Sequence, residues 1–221
     1  LGDLLPEDSE SIEGPGEAFP DPVRMMRLIK GRRSIRRYSE ENVDPAVIRT
    51  LLETVHHAPS GGNSRPVAFI VVDDSTVMDQ LRIRTMALLG RMLDEGRLPD
   101  EYRFLDRVIQ GWRNYRVDAV FRWAPHMVVT LVPEREGPAD IDGLVALSYF
   151  DLLAPTFGLG TLWNGTAKTI FSLASEFGKM LGVPAGYRMG YCMNFGLPDV
   201  KYARTAQYGD VPIRRVTALD G

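Results

Sequence analysis

Cysteine is nearly absent from this sequence: Cys192 is the single one, and histidine occurs three times, at positions 56, 57 and 126. One thiol closes no disulfide within the chain and builds no iron–sulfur cluster or cysteine-rich metal site. His56 and His57 are adjacent, and adjacent residues of a helix do not face one another, so no metal site is expected. A basic excess is also missing. The formal net charge is −3, which argues against a general nucleic-acid binder. No apolar run is long enough to cross a bilayer as a helix, and no signal-peptide pattern opens the chain, so no membrane partner is expected. A GxGxxG after a strand and a GxxxxGK[ST] are both lacking, which leaves dinucleotide and P-loop readings without a motif. The cysteine usage is compatible with a reducing compartment, and the cytoplasm is the expected location.

What is present is a composition for burial: 44% of the 221 residues are hydrophobic, enough for one compact domain with an appended arm. The arm is expected over residues 1–22, "LGDLLPEDSESIEGPGEAFPDP", acidic and rich in Pro and Gly. The chain starts without Met, which suggests a piece of a longer protein. The domain is expected over 23–221. "VRMMRLIKGR" and "DPAVIRTLLETVHHAP" carry helical periods, the second with Asp44 as cap, Pro45 in its first turn and Pro59 beyond its end. "VAFIVVDD", "APHMVVTLVPE", "LGTLWNG" and "YRMGYCMNFGLP" read as strands. Between them lie a long helical stretch broken at Pro99, an apolar helix "ADIDGLVALSYFDLLAPTFG" that reads as buried, and a helix "TIFSLASEFGKMLGVP" stopped by Gly182. This order implies an α+β, three-layer plan with a mixed central sheet covered by helices.

Three segments carry candidate chemistry. "GRRSIRRYS", residues 31–39, packs Arg32, Arg33, Arg36 and Arg37 around Ser34. In an extended backbone Arg32, Ser34 and Arg36 point the same way, which suits a phosphate; a solvated basic loop is the plainer alternative. "APSGGNSRP", residues 58–66, offers Pro59, Ser60, Gly61, Asn63 and Arg65, either as a ligand-approaching loop or as an ordinary polar turn. "GLGTLWNG", residues 158–165, ends in Trp163, Asn164 and Gly165. A flat aromatic ligand or tight helix–strand packing would explain its glycines equally.

Taken together and in order, these segments resemble the nitroreductase-like flavoproteins. The family's RRSxR segment is matched by Arg32, Arg33, Ser34 and Arg36, its APSxxNxQP by Ala58, Pro59, Ser60, Asn63 and Pro66, and its GLGTxW turn by Gly158 to Trp163. Gly196, Pro198 and Arg204 loosely match its closing residues. Arg65 stands where the family has Gln, and Val67 where an aromatic is common.

The resemblance implies a three-layer α-β-α sandwich and a homodimer with FMN at the subunit interface. Arg32, Arg33, Ser34 and Arg36, with Arg204 from the tail, would hold the FMN phosphate. Pro59, Ser60, Gly61, Asn63 and Arg65 would reach the other subunit's flavin. Trp163, Asn164 and Gly165 would border the ring. The implied activity is an oxidoreductase that moves hydride by alternation from NAD(P)H to a nitroaromatic, a quinone or a related small molecule. No catalytic side chain is implied, since the flavin carries the chemistry.

The phrase "RRSIRRYSEENVDPAVIRTLLETVHHAPSGGNSRP" and the "WAPH" strand entry look closest to the subgroup that follows a ferredoxin-like domain. An iron–sulfur electron donor is therefore a further implied partner, with the arm as its linker. A non-catalytic FMN sensor or carrier is the alternative from another class. Reductive dehalogenation ranks below both: the deiodinases of this superfamily hold their substrate with a Glu, Tyr and Lys of the lid, and residues 90–125 contain no lysine.

Overall fold

The computed structural model describes residues 19–134, 139–206 and 208–218. The arm expected over 1–22 lies outside them as far as residue 18. The chain divides into two compact units, residues 33–201 and a smaller one formed by the segments before Arg33 and after Lys201.

In the smaller unit, helix α1 (Pro22–Gly31) begins where Asp21 accepts from the N–H groups of Val23 and Arg24. Capping of this kind satisfies donors that a first turn leaves unpaired. The Ala206 N–H donates to the Lys30 carbonyl at 3.1 Å. The tail segment therefore lies against the end of α1.

The larger unit holds α2 (Pro45–Val55), β1 (Ala68–Val72), α3 (Ser75–Asp94), α4 (Phe104–Tyr115), β2 (His126–Pro133), α5 (Ala139–Leu153), β3 (Gly160–Trp163), α6 (Gly165–Phe171), α7 (Ser175–Leu181) and β4 (Tyr187–Gly196). The strands form one sheet in the order β1-β2-β4-β3. Alternation along them fills two cores. Val72, Met127, Val129 and Cys192 pack with α3, α4, α6 and α7 on one face. Val128, Met193 and Phe195 pack with α2 and α5 on the other. That is the expected three-layer plan. The sheet itself is antiparallel rather than mixed: all its strand pairs are antiparallel, and the one parallel pairing among the described residues is an isolated bridge from Ser34, outside the strands, to Thr161.

Two elements differ from the sequence expectation. The helix expected as one piece over 169–184 is two. Its first half starts at Gly165, because the Asn164 side chain caps Ala167 N–H. It ends where the Ser172 hydroxyl donates to the Thr169 carbonyl, a local bond that competes with helix continuation. Leu173 and Ala174 then leave the helix to pack on the core. The second difference is α5. Asp142, Gly143, Ala146, Leu147, Phe150 and Asp151 are buried, but Ile141, Leu144 and Tyr149 are exposed. An apolar stripe of the helix is therefore left uncovered within one chain.

Candidate functional site

The basic segment after α1 is held to the sheet by its own backbone. The Ile35 N–H donates to the Thr161 carbonyl at 2.8 Å, and the Ile35 side chain is buried. Gly160 makes this approach possible: a Cβ there would lie 2.5 Å from Ile35 Cγ1. With Ile35 turned inward, its neighbours Ser34 and Arg36 turn outward, as alternation along an extended chain requires. Arg36 Nη1 folds back to donate to the Ser34 carbonyl at 3.3 Å. No carboxylate pairs with Arg36 among the described residues, whereas Arg37 pairs with Asp199 at 3.3 Å. The Ser34 hydroxyl likewise has no partner among them. Burial pushes the Tyr38 phenol well above its usual range, partly opposed by the charge of Arg36. A guanidinium whose one bond is to a neighbouring carbonyl and a hydroxyl, side by side, form a donor set for an anion.

The other expected phosphate contacts are distributed differently. Arg33 is half-buried beside Ser34. Arg32 caps the end of α1 by donating its backbone N–H to the Leu28 carbonyl. It belongs to the smaller unit, as does exposed Arg204. Within that unit the Ala206–Lys30 bond sets the segment carrying Arg204 beside the helix end carrying Arg32.

Strand β3 delivers the third segment. Thr161 and Trp163 share a face, and both side chains donate to one buried carboxylate, Asp151 of α5: the Thr161 hydroxyl to Oδ1 and the Trp163 indole N–H to Oδ2 at 2.9 Å. Trp163 also meets Tyr191 edge-on, with ring centroids 5.4 Å apart. Asn164 is buried and fully engaged: besides capping α6, its amide donates to the Val120 carbonyl and to Asn194 Oδ1, each at 3.0 Å. Its side chain therefore fixes the turn. Gly165 follows, half-buried, where a Cβ would stand 2.9 Å from the Tyr191 hydroxyl.

The loop after α2 is the second segment. Pro59 is exposed, and Gly61 to Asn63 form a short 3₁₀ turn. Gly62, Asn63 and Arg65 all have positive φ, at 59°, 53° and 44°. The Ser60 hydroxyl accepts from the Arg65 N–H at 2.9 Å, Asn63 Oδ1 accepts from Arg65 Nε at 3.4 Å, and the Gly61 N–H donates to Asp142 Oδ1 at 3.0 Å. Left-handed non-glycine residues cost of order 1–3 kcal/mol each and persist only where surroundings hold them. Here the surroundings are Ser60 and Asp142. Asp142 is buried, and its second oxygen has no partner. It faces a void of about 20 Å³ that Ser60 and Arg65 also line, room for about one water. Among the described residues no hydrogen bond joins this loop to Trp163–Gly165.

Asp142 and Asp151 were not expected from sequence. The available signal was a carboxylate inside an apolar helix, because a buried charge needs partners. A separate cavity of about 590 Å³ opens beyond Tyr191, between α5, α6 and β4.

The larger unit is thus a three-layer α+β fold with an anion donor set at the sheet rim and glycine-bearing loops after α2 and after β3. The chain belongs to the nitroreductase family, whose model matches residues 29–197. It is 30% identical over 184 residues to an NADH dehydrogenase of Thermus thermophilus, covering 76% of this chain and 86% of that protein. It is 25% identical over 176 residues to an iodotyrosine deiodinase of Thermotoga neapolitana, covering 78% and 87%. Among solved structures, a Bacteroides fragilis nitroreductase with bound FMN superposes with a TM-score of 0.67 at 20% identity, over 86% of this chain and 98% of that one.

Proposed function

We propose that the protein is an FMN-dependent oxidoreductase that takes electrons from NADH or NADPH and delivers them to a nitroaromatic, a quinone or a related acceptor. One observation carries the reading: Ser34 and Arg36, neither paired with a carboxylate among the described residues, sit on a segment bridged to the strand that ends in Trp163 and leads into Asn164 and Gly165. The residues present fit FMN. Ser34 and Arg36, with Arg33 beside them, would take the phosphate; Arg32 and Arg204 are further phosphate contacts by the family resemblance alone. Trp163 and the backbone of Asn164 and Gly165 would border the ring.

Bound FMN supplies reversible two-electron transfer as hydride. The chain contributes binding, orientation and exclusion of water. Reduction of a nitro group to nitroso takes two electrons and two protons and releases one water. The nicotinamide supplies the electrons and one proton as hydride, and solvent the other proton.

The site is completed by a second copy of the chain in this reading. The exposed apolar stripe of α5, Ile141, Leu144 and Tyr149, is the supporting feature, since such patches mark association surfaces. Pro59, Ser60, Gly61, Asn63 and Arg65 would then reach the partner's flavin. Residues 23–221 would form the flavin domain, with the preceding arm as a linker.

The test is direct. Protein purified with FMN should be yellow, bleach with NADH or NADPH under anaerobic conditions, and recover colour with a nitroaromatic. Colour that bleaches with reduced ferredoxin and with neither nicotinamide would move the donor to an iron–sulfur partner and favour the ferredoxin-linked subgroup. Colour without any turnover would favour a sensor or carrier. Failure to retain FMN would end the reading.

A further inference from the structure

The cavity of about 590 Å³ is lined by none of the residues assigned above to the flavin. Its size lies within the range of small-molecule sites. Its walls are apolar at Phe171 and Met189, and its charged groups are Lys168, Arg188 and Asp140. Arg188 and Asp140 neutralise each other through two hydrogen bonds, 2.7 and 2.6 Å. The bonding to Arg188 holds the Asp140 carboxyl below the usual carboxylate range, so it stays ionised. Cys192 borders the cavity, but its side chain is buried in the core, and burial pushes the thiol up to about 12, so it adds no charge. Lys168 is what remains. Its ammonium has no carboxylate within bonding distance among the described residues, and the Tyr191 hydroxyl has no hydrogen-bond partner there either. With two cations and one carboxylate the cavity thus carries a net positive charge, beside the Tyr191 hydroxyl and an apolar wall.

We infer that this cavity seats a small aromatic carboxylate, its carboxylate on Lys168 and Tyr191 and its ring against Phe171 and Met189. The inference rests on the flavoenzyme reading for its meaning: Tyr191 adjoins Gly165, so the molecule seated here is the acidic electron acceptor. Lys168 is exposed and Tyr191 half-buried; an ion pair and a hydroxyl together favour an anion, and a neutral analogue of the same shape forgoes the ion pair.

The probes are 4-nitrobenzoate and neutral 4-nitrobenzyl alcohol, which share a ring and differ in charge. Equilibrium dialysis against the FMN-loaded protein needs no turnover. We expect 4-nitrobenzoate to bind about tenfold more tightly than the alcohol, the scale of a single charge-assisted contact. Lys168→Met should abolish that preference and Lys168→Arg should keep it. In turnover with NADH or NADPH, the ratio of the two KM values should collapse in the same way in Lys168→Met. Equal binding of both probes to the unaltered protein, or an undiminished preference in Lys168→Met, overturns the inference while turnover of the neutral probe leaves the oxidoreductase reading intact. Charge-selective binding without any turnover does the reverse: it supports the anion seat and removes the oxidoreductase reading.

Discussion

Replacing Gly160 by alanine tests how the anion donor set is fixed. The added Cβ would meet Ile35 Cγ1 at 2.5 Å, Cβ at 2.9 Å and Cγ2 at 3.0 Å. Ordinary contact begins near 3.4 Å, so something must move. Ile35 cannot swing aside, because a β-branched side chain is stiff at χ1. Its Cβ moves only with the backbone, and that backbone is bonded to Thr161 at 2.8 Å. Overpacking of this kind costs about 1–3 kcal/mol. For a chain of this size each kcal/mol lowers Tm by about 2–4 °C. The displaced residues would be the neighbours of Ile35, namely Ser34 and Arg36, so FMN affinity should fall along with stability.

Urea denaturation and flavin fluorescence titration read the two effects. A double-mutant cycle separates them from general damage. Ile35→Ala alone should cost about 2–5 kcal/mol by opening a cavity. In the double variant Cγ1 and Cγ2 are gone, so the losses should fall short of additive by about 0.5–3 kcal/mol. Additive losses, or a Gly160→Ala protein as stable and as flavin-retentive as the parent, would refute the close-packing argument.

Three further outcomes follow from buried groups. Asp118 is buried and accepts from Arg82 Nε at 2.7 Å and from the N–H groups of Phe121 and Trp123 at 2.8 and 2.9 Å; Asp118→Ala should cost about 1–3 kcal/mol in urea denaturation, because it leaves buried donors without an acceptor while Asp79 still pairs with Arg82, and the absence of any measurable loss would contradict this. His126 is buried, its Nε2 accepts from the Val43 N–H, and burial lowers its pKa below the ordinary 6.5. Above pH 6.5 its contribution is complete; as pH falls through the lowered pKa the unfolded chain binds a proton that the native one resists, so stability declines and then levels. His126→Gln should flatten that part of the urea midpoint profile, and an unchanged profile would exclude His126 as its source. Cys192 is 1% exposed with a thiol raised to about 12, so iodoacetamide at pH 8 should label it only at the rate of unfolding, and labelling at the rate of a free thiol would show an open core.

The local grammar of this chain was legible where a residue acts on its own neighbours. Asp44 caps α2, Pro99 separates α3 from α4, and Gly182 ends α7 in the left-handed conformation at φ 69°. Each effect is complete within a few residues. The split at Leu173–Ala174 was not legible, since both are acceptable in helices and only packing against the core removes them. The exposure of Ile141, Leu144 and Tyr149 was not legible either, because an apolar helix surface reads the same whether the chain itself or a second molecule covers it.

The site divides along the same line. Its three loops were visible as motifs, since glycine, serine and arginine declare themselves by type and spacing. Their supports were not. Gly61 is held by Asp142 from 81 residues away, Trp163 by Asp151 from 12, and Arg82 by Asp118 from 36. All three carboxylates are buried and reached only through the tertiary fold. Each turns the cost of a buried charge into a constraint on a loop or a turn, because a carboxylate in low dielectric must be satisfied and its donors come from the segment being positioned. Surfaces that meet a ligand are therefore written in the loops, while the geometry of those surfaces is written in acids on α5 and in the turn before β2. A motif scan finds the first and passes over the second, which is why Asp142→Ala should disorder the Ser60–Arg65 turn although no family segment contains it.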